Sequence, residues 1–394
     1  MQKTGRAVTR ALEEMPKDLH GIYEAMLGQI SSHNQDMARE ALLWVCYAYE
    51  PLTLAALCEA LVLEEGDVSL DDHCRLHHPE TVLNMCQGLI VYDENTSTVT
   101  LAHSSVRTFL TSHHICCSPV AFYHLDDVEA ARTIFRKCLR YLMFDEFKRP
   151  CLEHELLRKR FINFPLLGYA ARNWASHCGH GAPAGFTLSV AEVDDVLTFF
   201  GTRDLGEKGG NATAWMQVLL VEAPVQIARS TEPLYYASSY GLLSVVERLL
   251  KDGAAIDAYG GRACSTALQV ACCRDRFSVA RVLLDAGANP NSTNCYGISN
   301  LKYARLKRLK RIEKLLLEKG ATEAEESASR NWEEEASTAW TCCCCSGQNF
   351  SALSPACPLC GHYRCPYCEN TNRGGRGASA HADQRCQPSG DVLN

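Results

Sequence analysis

From Thr231 to Ala321 the chain repeats itself every 33 to 34 residues. The first unit reads Thr231-Glu-Pro-Leu-Tyr-Tyr-Ala237, then Gly241, Val245-Val-Glu-Arg-Leu-Leu250 and Gly253-Ala254. The second reads Ser265-Thr-Ala-Leu-Gln-Val-Ala271, then Val279-Ala-Arg-Val-Leu-Leu284 and Gly287-Ala-Asn-Pro-Asn291. The third reads Ile298-Ser-Asn-Leu-Lys-Tyr-Ala304, then Ile312-Glu-Lys-Leu-Leu-Leu317 and Gly320-Ala321. Leu234, Leu268 and Leu301 hold one place in the period; Gly253, Gly287 and Gly320 hold another. A fixed period of this size builds a stack of like units. Leu234 and Ala237 share one face of a short first helix, and the small Ala lets a second helix approach. Val246, Leu249 and Leu250 give that second helix an apolar stripe, and Gly253 ends it in a left-handed conformation. One unit cannot bury both faces, so about three are needed for a stable stack.

These segments resemble ankyrin repeats, whose signature is T-P-L-H-x-A followed by LL-x-x-G-A. The first unit departs from it only at Tyr235; the second has Ala267 and Gln269 for Pro and His; the third, with Asn300-Leu301-Lys302, is the most degraded. The resemblance implies a binding scaffold without chemistry of its own. By analogy the turn tips around Arg229, Arg262 and Tyr296 would touch a protein partner. The third unit is basic at Lys302, Arg305, Lys307, Arg308, Lys310, Arg311 and Lys314. No aromatic residues interleave for base stacking. A solvated cap face is expected, with Leu306, Leu309 and Ile312 turned inward.

No stretch of the 394 residues approaches eighteen consecutive apolar positions, so no membrane span is expected. The beginning, Met1 to Glu14, lacks the apolar run of a secretory signal, which points to the cytoplasm or the nucleus. In that reducing setting Cys46, Cys58, Cys86, Cys138 and Cys272, all within apolar helical patterns, are expected as small buried hydrophobes. A net charge of −7 gives the whole molecule no long-range attraction for nucleic acid.

In the first half, Leu12 to Ile30 recur at helical spacing, broken at Pro16. Ala41–Tyr49 is a second helix; Pro51 to Leu54 is a turn, with Thr53 capping a helix over Ala55–Leu63; Thr81–Gly88 is a third. Leu89–Tyr92 and Thr98–Ala102 form a β-hairpin around Asp93 to Thr96, before helix resumes at His103. Helices followed by a hairpin make a winged helix. Asp93 and Glu94 on the hairpin, with Glu59, Glu64, Glu65, Asp67, Asp71 and Asp72 around it, make an acidic surface that repels phosphate.

Leu12-Glu-Glu-Met-Pro-Lys-Asp-Leu19, Trp44, Pro51-Leu-Thr-Leu54, Cys86-Gln-Gly-Leu89, His103-Ser-Ser-Val106 and Pro165-Leu-Leu-Gly-Tyr-Ala-Ala171 resemble the segment that follows the nucleotide-binding module in fungal NACHT-type signalling NTPases. Ankyrin repeats follow that segment in the same family. The family's P-loop is absent. The nearest string, Gly201-Thr-Arg-Asp-Leu-Gly-Glu-Lys208-Gly209, has its Lys displaced by one residue and no Ser or Thr after it. Nucleotide switching is therefore not carried over, and the chain is expected to be a member without the NTPase.

His73, Cys74, His77 and His78, and likewise His177, Cys178 and His180, are expected in solvated polar loops. No nucleophile-and-base motif is present, and no enzyme is expected.

Nine of the 22 cysteines lie between Cys342 and Cys386. Cys342 and Cys345 form one CxxC turn and Cys357 and Cys360 a second, eleven residues on; Cys365 and Cys368 form a third, with His362 just before it. Two facing CxxC turns make a closed tetrahedral Zn(2+) cage, a structural rather than a catalytic arrangement. Cys342, Cys345, Cys357 and Cys360 are the best ligand set by spacing; His362, Cys365 and Cys368 either complete a second site or replace a pair. Trp340-x-Cys342-x2-Cys345-x3-Asn349 is also similar to Ran-binding-protein zinc fingers, which bind ubiquitin or single-stranded RNA. The later spacing and Arg364-Cys365-Pro-Tyr-Cys368 depart from that pattern.

The expected architecture is mainly α: an N-terminal helical segment (1–34), a winged-helix-like domain (35–117), a helical linker region (118–226), a short ankyrin solenoid (227–322), an acidic linker (323–339), a zinc-ribbon-like module (340–369) and a disordered tail (370–394). The expected function is a non-enzymatic protein–protein interaction scaffold in signalling. The alternative is nucleic-acid binding through the zinc finger, the winged helix and the basic third repeat.

Overall fold

Local sequence sets several of the helix starts. Asp18 accepts from the Gly21 N–H (2.7 Å) to open α1, Leu19–Gly28. Thr53 accepts from the Ala56 N–H (3.1 Å) to open α3, Leu54–Val62. Asp126 accepts from both Val128 and Glu129 N–H (2.9 Å each) to open α7, Asp127–Leu142. Each such cap satisfies donors that the helix leaves unpaired. The computed structural model describes residues 18–70, 73, 75–76, 78–151, 154–204, 210–219, 231–261, 264–294 and 297–322, with the strand backbones at 339–341, 348–350 and 369–370. The chain divides into two units, Met1–Phe199 and Phe200–Asn394.

In the first unit, α2 (Gln35–Tyr47), α3 and α4 (Glu80–Met85) accompany a three-stranded antiparallel sheet of order β1-β3-β2, whose first strand, β1 (Leu52–Thr53), lies between α2 and α3. β2 (Ile90–Asp93) and β3 (Thr98–Leu101) are the expected hairpin, with Tyr92 opposite Val99. β1 (Leu52–Thr53) was expected as a turn. Instead Leu52 pairs with Val99, and a two-residue strand closes the sheet. The pleat sends Ile90 and Val99 inward and leaves Val91 exposed on the other face. The hairpin turn is held by Asp93, which accepts from Asn95 N–H (2.9 Å) and the Thr96 hydroxyl (2.9 Å). α5 (Ser104–Leu110) and α6 (His113–Cys116) complete the wing.

Beyond it, α7, α8 (His154–Asn163), α9 (Leu167–Cys178) and α10 (Val190–Gly201) follow. α7 and α9 form the main helix pair. Ala130 and Ala131 on α7 and Ala170 and Ala171 on α9 are buried and small, so the axes approach closely. Trp174 fills the seam, stacked on Phe135 (6.3 Å between centroids) and edge-on to Phe199 (5.7 Å). Each large side chain buried this way contributes roughly 1.5–3 kcal/mol. The same core reaches the winged helix: Trp44 of α2 meets Tyr169 of α9 edge-on at 5.8 Å.

Three buried polar groups tie these elements together. Glu59 of α3, counted in sequence as part of an acidic surface, is only 3% exposed. It accepts from the Tyr141 hydroxyl (2.6 Å) and the Leu166 N–H (3.0 Å), and pairs with Arg75. Glu192 of α10 pairs with Arg132 and Arg136 of α7 and accepts from Ser189 N–H (2.8 Å). Burial pushes its pKa up, but the Arg132, Ser189 and Arg136 hydrogen bonds outweigh that and leave the carboxyl below its ordinary value. His177 and Cys178, expected in a polar loop, are buried at the end of α9. The His177 Nε2 lies 2.8 Å from the Tyr169 hydroxyl, which also accepts from Tyr49 N–H (3.3 Å).

In the second unit, α11 (Asn211–Leu219) precedes three helix pairs: α12 (Pro233–Tyr240) with α13 (Leu243–Lys251), α14 (Ala267–Cys273) with α15 (Phe277–Asp285), and α16 (Asn300–Leu306) with α17 (Lys310–Glu318). Trp215 of α11 is 1% exposed and packs on Tyr236 (5.4 Å) and Tyr240 (6.2 Å) of α12, covering the start of the stack. A second antiparallel sheet, order β5-β4-β6, is formed by β4 (Ala339–Thr341), β5 (Gln348–Phe350) and β6 (Glu369–Asn370). Among the described residues no helix is long and apolar enough to cross a membrane.

Removing the Glu59 carboxylate strands the Tyr141 hydroxyl and the Leu166 N–H in the core. Glu59→Ala should destabilise the first unit by roughly 2–4 kcal/mol, read as an earlier urea midpoint in tryptophan fluorescence. His177 gives a pH signature. Burial holds its imidazole down at about 4, against about 6.5 in an unfolded chain. As pH falls the unfolded state takes up this proton first. The His177 contribution is therefore complete above about pH 6.5, shrinks on acidification, and has cost about 3 kcal/mol by pH 4. His177→Gln should flatten urea stability between those pH values, whereas an unchanged slope would contradict the assignment.

Candidate interaction surface

The stack is built by left-handed residues at two places in each period. After the outer helices, Gly253, Gly287 and Gly320 take φ of 83°, 93° and 85°. There Ala254 N–H reaches Leu249 O, Ala288 N–H reaches Leu283 O, and Ala321 N–H reaches Leu316 O, each at 2.9 Å. This is the Schellman closure that satisfies the last carbonyls of a helix. After the inner helices the left-handed residues are Gly241 (φ 77°), Asp275 (55°) and Arg308 (57°). Only the first is a glycine, so the second and third repeats carry the steric cost of a Cβ at that turn.

Polar side chains join neighbouring repeats. Gln269, standing in the signature His position, donates to Ile298 O (2.6 Å). Thr266 caps α14 and its hydroxyl lies 3.1 Å from that of Ser292, to which Asn300 also donates (3.1 Å). Arg276 donates to Ser239 O (3.0 Å). On the outer helices the Phe277 ring meets the guanidiniums of both Arg281 (4.7 Å) and Arg311 (4.2 Å). Val246 and Ile312 are fully buried as expected, whereas Leu249 and Leu250 are only half-buried. Leu306, expected inward, is 40% exposed, because it falls in the last turn of α16, past the face that meets α17.

Part of the basic third repeat is paired with acids of its own and of the second repeat. Glu313 pairs with Arg305 (3.0 Å) and Lys310 (3.1 Å), Lys314 with Glu318 (3.8 Å), and Lys319 with Asp285 (2.6 Å). Hydrogen bonds from Lys310 and Arg305 hold the Glu313 carboxyl below its usual value.

Hairpin tips separate the repeats. Gly260 and Ser265 exchange backbone hydrogen bonds (2.9 and 3.0 Å), and Thr293 bridges Ser299. Arg262 and Tyr296, expected to touch a partner, fall inside these tips and, with Arg229, lie outside the described residues. Beside the first tip the ring of Tyr259 is 51% exposed, a residue that no repeat consensus singled out. Arg274, at the end of α14, is exposed as well.

Among the described residues the other sequence candidates are not brought together. His73 and His78 are exposed; Cys74 and His77 lie outside the described residues. His114 pairs with Glu24 (2.9 Å). Cys342, Cys345, Cys357, Cys360, His362, Cys365 and Cys368 all lie outside the described residues. Among the described residues no cluster of three or more His, Cys, Asp or Glu side chains is arranged for a metal. Cys46, Cys58, Cys86, Cys138 and Cys272 are free and buried. Burial pushes the thiols of Cys46, Cys86 and Cys272 up to about 12, which suppresses nucleophilic thiolate. Gly201 ends α10 and Thr202–Asp204 is a 3-10 turn, so a helix stands where a phosphate loop needs a strand. A surface cleft of about 410 Å³ beside Arg39, Glu40 and Phe122 is lined by neither histidine nor cysteine.

Comparison with known proteins agrees with this geometry. Residues 23–121 match the winged helix domain of GPI inositol-deacylase, and residues 208–294 and 234–327 match ankyrin repeats. The chain carries a winged-helix domain and ankyrin repeats. Azaphilone pigments biosynthesis cluster protein L of Monascus ruber is 25% identical over 303 residues, covering 71% of this chain and 61% of that protein. Ankyrin repeat and SOCS box protein 16 of Homo sapiens is 38% identical over 95 residues, 24% of this chain and 20% of that protein. The chain thus spans about three-fifths of the fungal relative and one-fifth of the human one. A solved ankyrin repeat domain from Acinetobacter baumannii aligns over 41% of this chain and all of its own, at 20% identity and a TM-score of 0.23, too low to speak to the fold.

Arg308 offers a test of the left-handed turn. Arg308→Gly should relieve its Cβ strain and stabilise the stack by about 0.5–1 kcal/mol after the added freedom of the unfolded chain. A shift of the thermal midpoint to higher temperature checks this; a downward shift would mean that the side chain itself holds the turn.

Proposed function

We propose that this protein is a non-enzymatic recognition scaffold that binds a protein partner through the ankyrin stack. The stacked helix pairs with an exposed Tyr259 at a tip and an exposed Arg274 at an inner-helix end carry this reading. Tyr and Arg are the side chains most often found at the energetic centre of protein interfaces. Resemblance to the post-NTPase part of fungal NACHT-type proteins, together with a fungal relative, supports a place in intracellular signalling, in the cytoplasm or nucleus.

Nucleic-acid binding is the weaker reading. The helix before the wing, Glu80–Met85, has no Lys or Arg, and the hairpin carries Asp93 and Glu94. Arg305 and Lys310 of the third repeat are held in ion pairs with Glu313. An acidic wing repels phosphate.

Proximity labelling in cells, comparing the unmodified chain with Tyr259→Ala/Arg274→Glu, tests the scaffold. A defined set of neighbours should fall by about tenfold in the variant, the effect of losing one or two interface anchors, while its circular dichroism stays unchanged. Neighbours that persist, together with salt-dependent binding of generic single-stranded RNA or duplex DNA by the purified chain, would favour the nucleic-acid reading.

A further inference from the structure

The outer helices of the second and third repeats carry two cations that no acid answers. Arg281, in the middle of α15, and Arg311, in the first turn of α17, both bring a guanidinium onto the ring of Phe277, at 4.7 and 4.2 Å from its centre. Both arginines are exposed and Phe277 is half-buried. The acids nearest in sequence are engaged elsewhere. Asp285 stands one helical turn after Arg281, yet it lies 2.6 Å from Lys319. Glu313, two residues after Arg311, is held by Arg305 (3.0 Å) and Lys310 (3.1 Å), and Glu318 meets Lys314. Asp275, in the turn before α15, acts on Arg276. The first turn of α15 holds no acidic residue. Among the described residues neither Arg281 nor Arg311 has an ion-pair partner.

Two like charges on one ring repel each other, and the ring's negative face is all that offsets the repulsion. The two guanidiniums are no further apart than their two distances to the ring laid end to end, so one anion can reach both. The ring also restrains both side chains, so less freedom is lost when they grip a ligand.

We propose that Arg281 and Arg311, held by Phe277, clamp the phosphoryl group of a phosphoserine- or phosphothreonine-bearing segment of a partner protein. The ligand follows from counting acceptors. A guanidinium fork donates two parallel hydrogen bonds to one oxyanion group. A carboxylate, with two oxygens and one charge, satisfies one fork. A phosphate monoester offers three strong acceptor oxygens and nearly two charges, which suits two forks. The cations around the pair are lysines, Lys310, Lys314 and Lys319, each matched to an acid. The two on the ring are both arginine, the side chain whose planar fork fits phosphate. A nucleic acid would bring a whole line of phosphates against a chain of net charge −7, whereas a single phosphorylated residue needs only this pair. The clamp uses neither Tyr259 nor Arg274, so it stands apart from the partner-binding reading at those residues.

The test titrates the purified full chain against randomised peptide pools with a central phosphoserine, phosphothreonine, serine or glutamate. The phosphorylated pools should bind at least about tenfold tighter than the serine and glutamate pools. Arg281→Gln/Arg311→Gln should lose about tenfold or more of that binding with circular dichroism unchanged. Arg281→Lys/Arg311→Lys, which keeps the charge and removes the fork, should lose at least about threefold. Lys251→Gln/Lys314→Gln removes the same charge from other outer-helix positions and should stay within about threefold of the unmodified chain. Free phosphoserine should displace the phosphorylated pool from the unmodified chain where serine does not, a readout that needs no variant to fold. Equal binding of glutamate and phosphoserine pools, full binding by the Arg→Lys pair, equal loss in the Lys251/Lys314 variant, or no competition by phosphoserine would each overturn the proposal. So would tighter binding, through the same two arginines, of duplex DNA or of vesicles containing phosphatidylserine.

Discussion

Each inner and outer helix of the stack is joined through a residue forced to positive φ, and the rest of the second unit depends on that reversal. At Gly241, Asp275 and Arg308 the left-handed turn brings the next N–H back onto the Ala237, Ala271 and Ala304 carbonyls. Those three alanines are fully buried, where a larger side chain would hold the paired helices apart. The turn and the small residue are thus one device repeated three times. What differs between repeats is the polar stitching: Gln269 and Asn300 connect the second repeat to the third, whereas Trp215, Tyr236 and Tyr240 make an aromatic cover over the first.

The first unit solves a different problem. It must join a winged helix to a set of longer helices. Apolar packing does most of this, through Trp44, Tyr169, Trp174 and Phe135. Directional groups then fix which element meets which. Glu59 binds α3 to α7 and to the start of α9, and Glu192 binds α10 to α7. Buried carboxylates add little net stability when replaced by well-packed apolar groups, but they penalise any arrangement that leaves them unpaired. A small sheet whose edge strand is only two residues long gains a defined position from such ties.

Periodicity made the stack legible in the sequence, since Leu234, Leu268 and Leu301 and the three left-handed glycines report local physics. The wing was legible for the same reason, from alternation around Asp93 to Thr96 and a cap at Thr53. Three features escaped. β1 exists because Val99 offers a partner, a non-local cause with no signal in Pro51 to Leu54. Glu59 and His177 looked solvated because charged and imidazole side chains are seldom buried; their hydrogen-bond partners are distant in sequence, Glu59 with Tyr141 and His177 with Tyr49 through Tyr169. The exposed Tyr259 escaped because a consensus describes what the repeats share, and a contact surface consists of what they do not.

The contacts of Phe277 with Arg281 and Arg311 couple the second and third outer helices on the water-facing side. Their strength comes from the charge distribution of an aromatic ring, not from an opposite ion, so dissolved salt screens them less than the neighbouring carboxylate contacts. This contact between neighbouring outer helices therefore persists through changes of ionic strength that would loosen the Lys319–Asp285 link beside it.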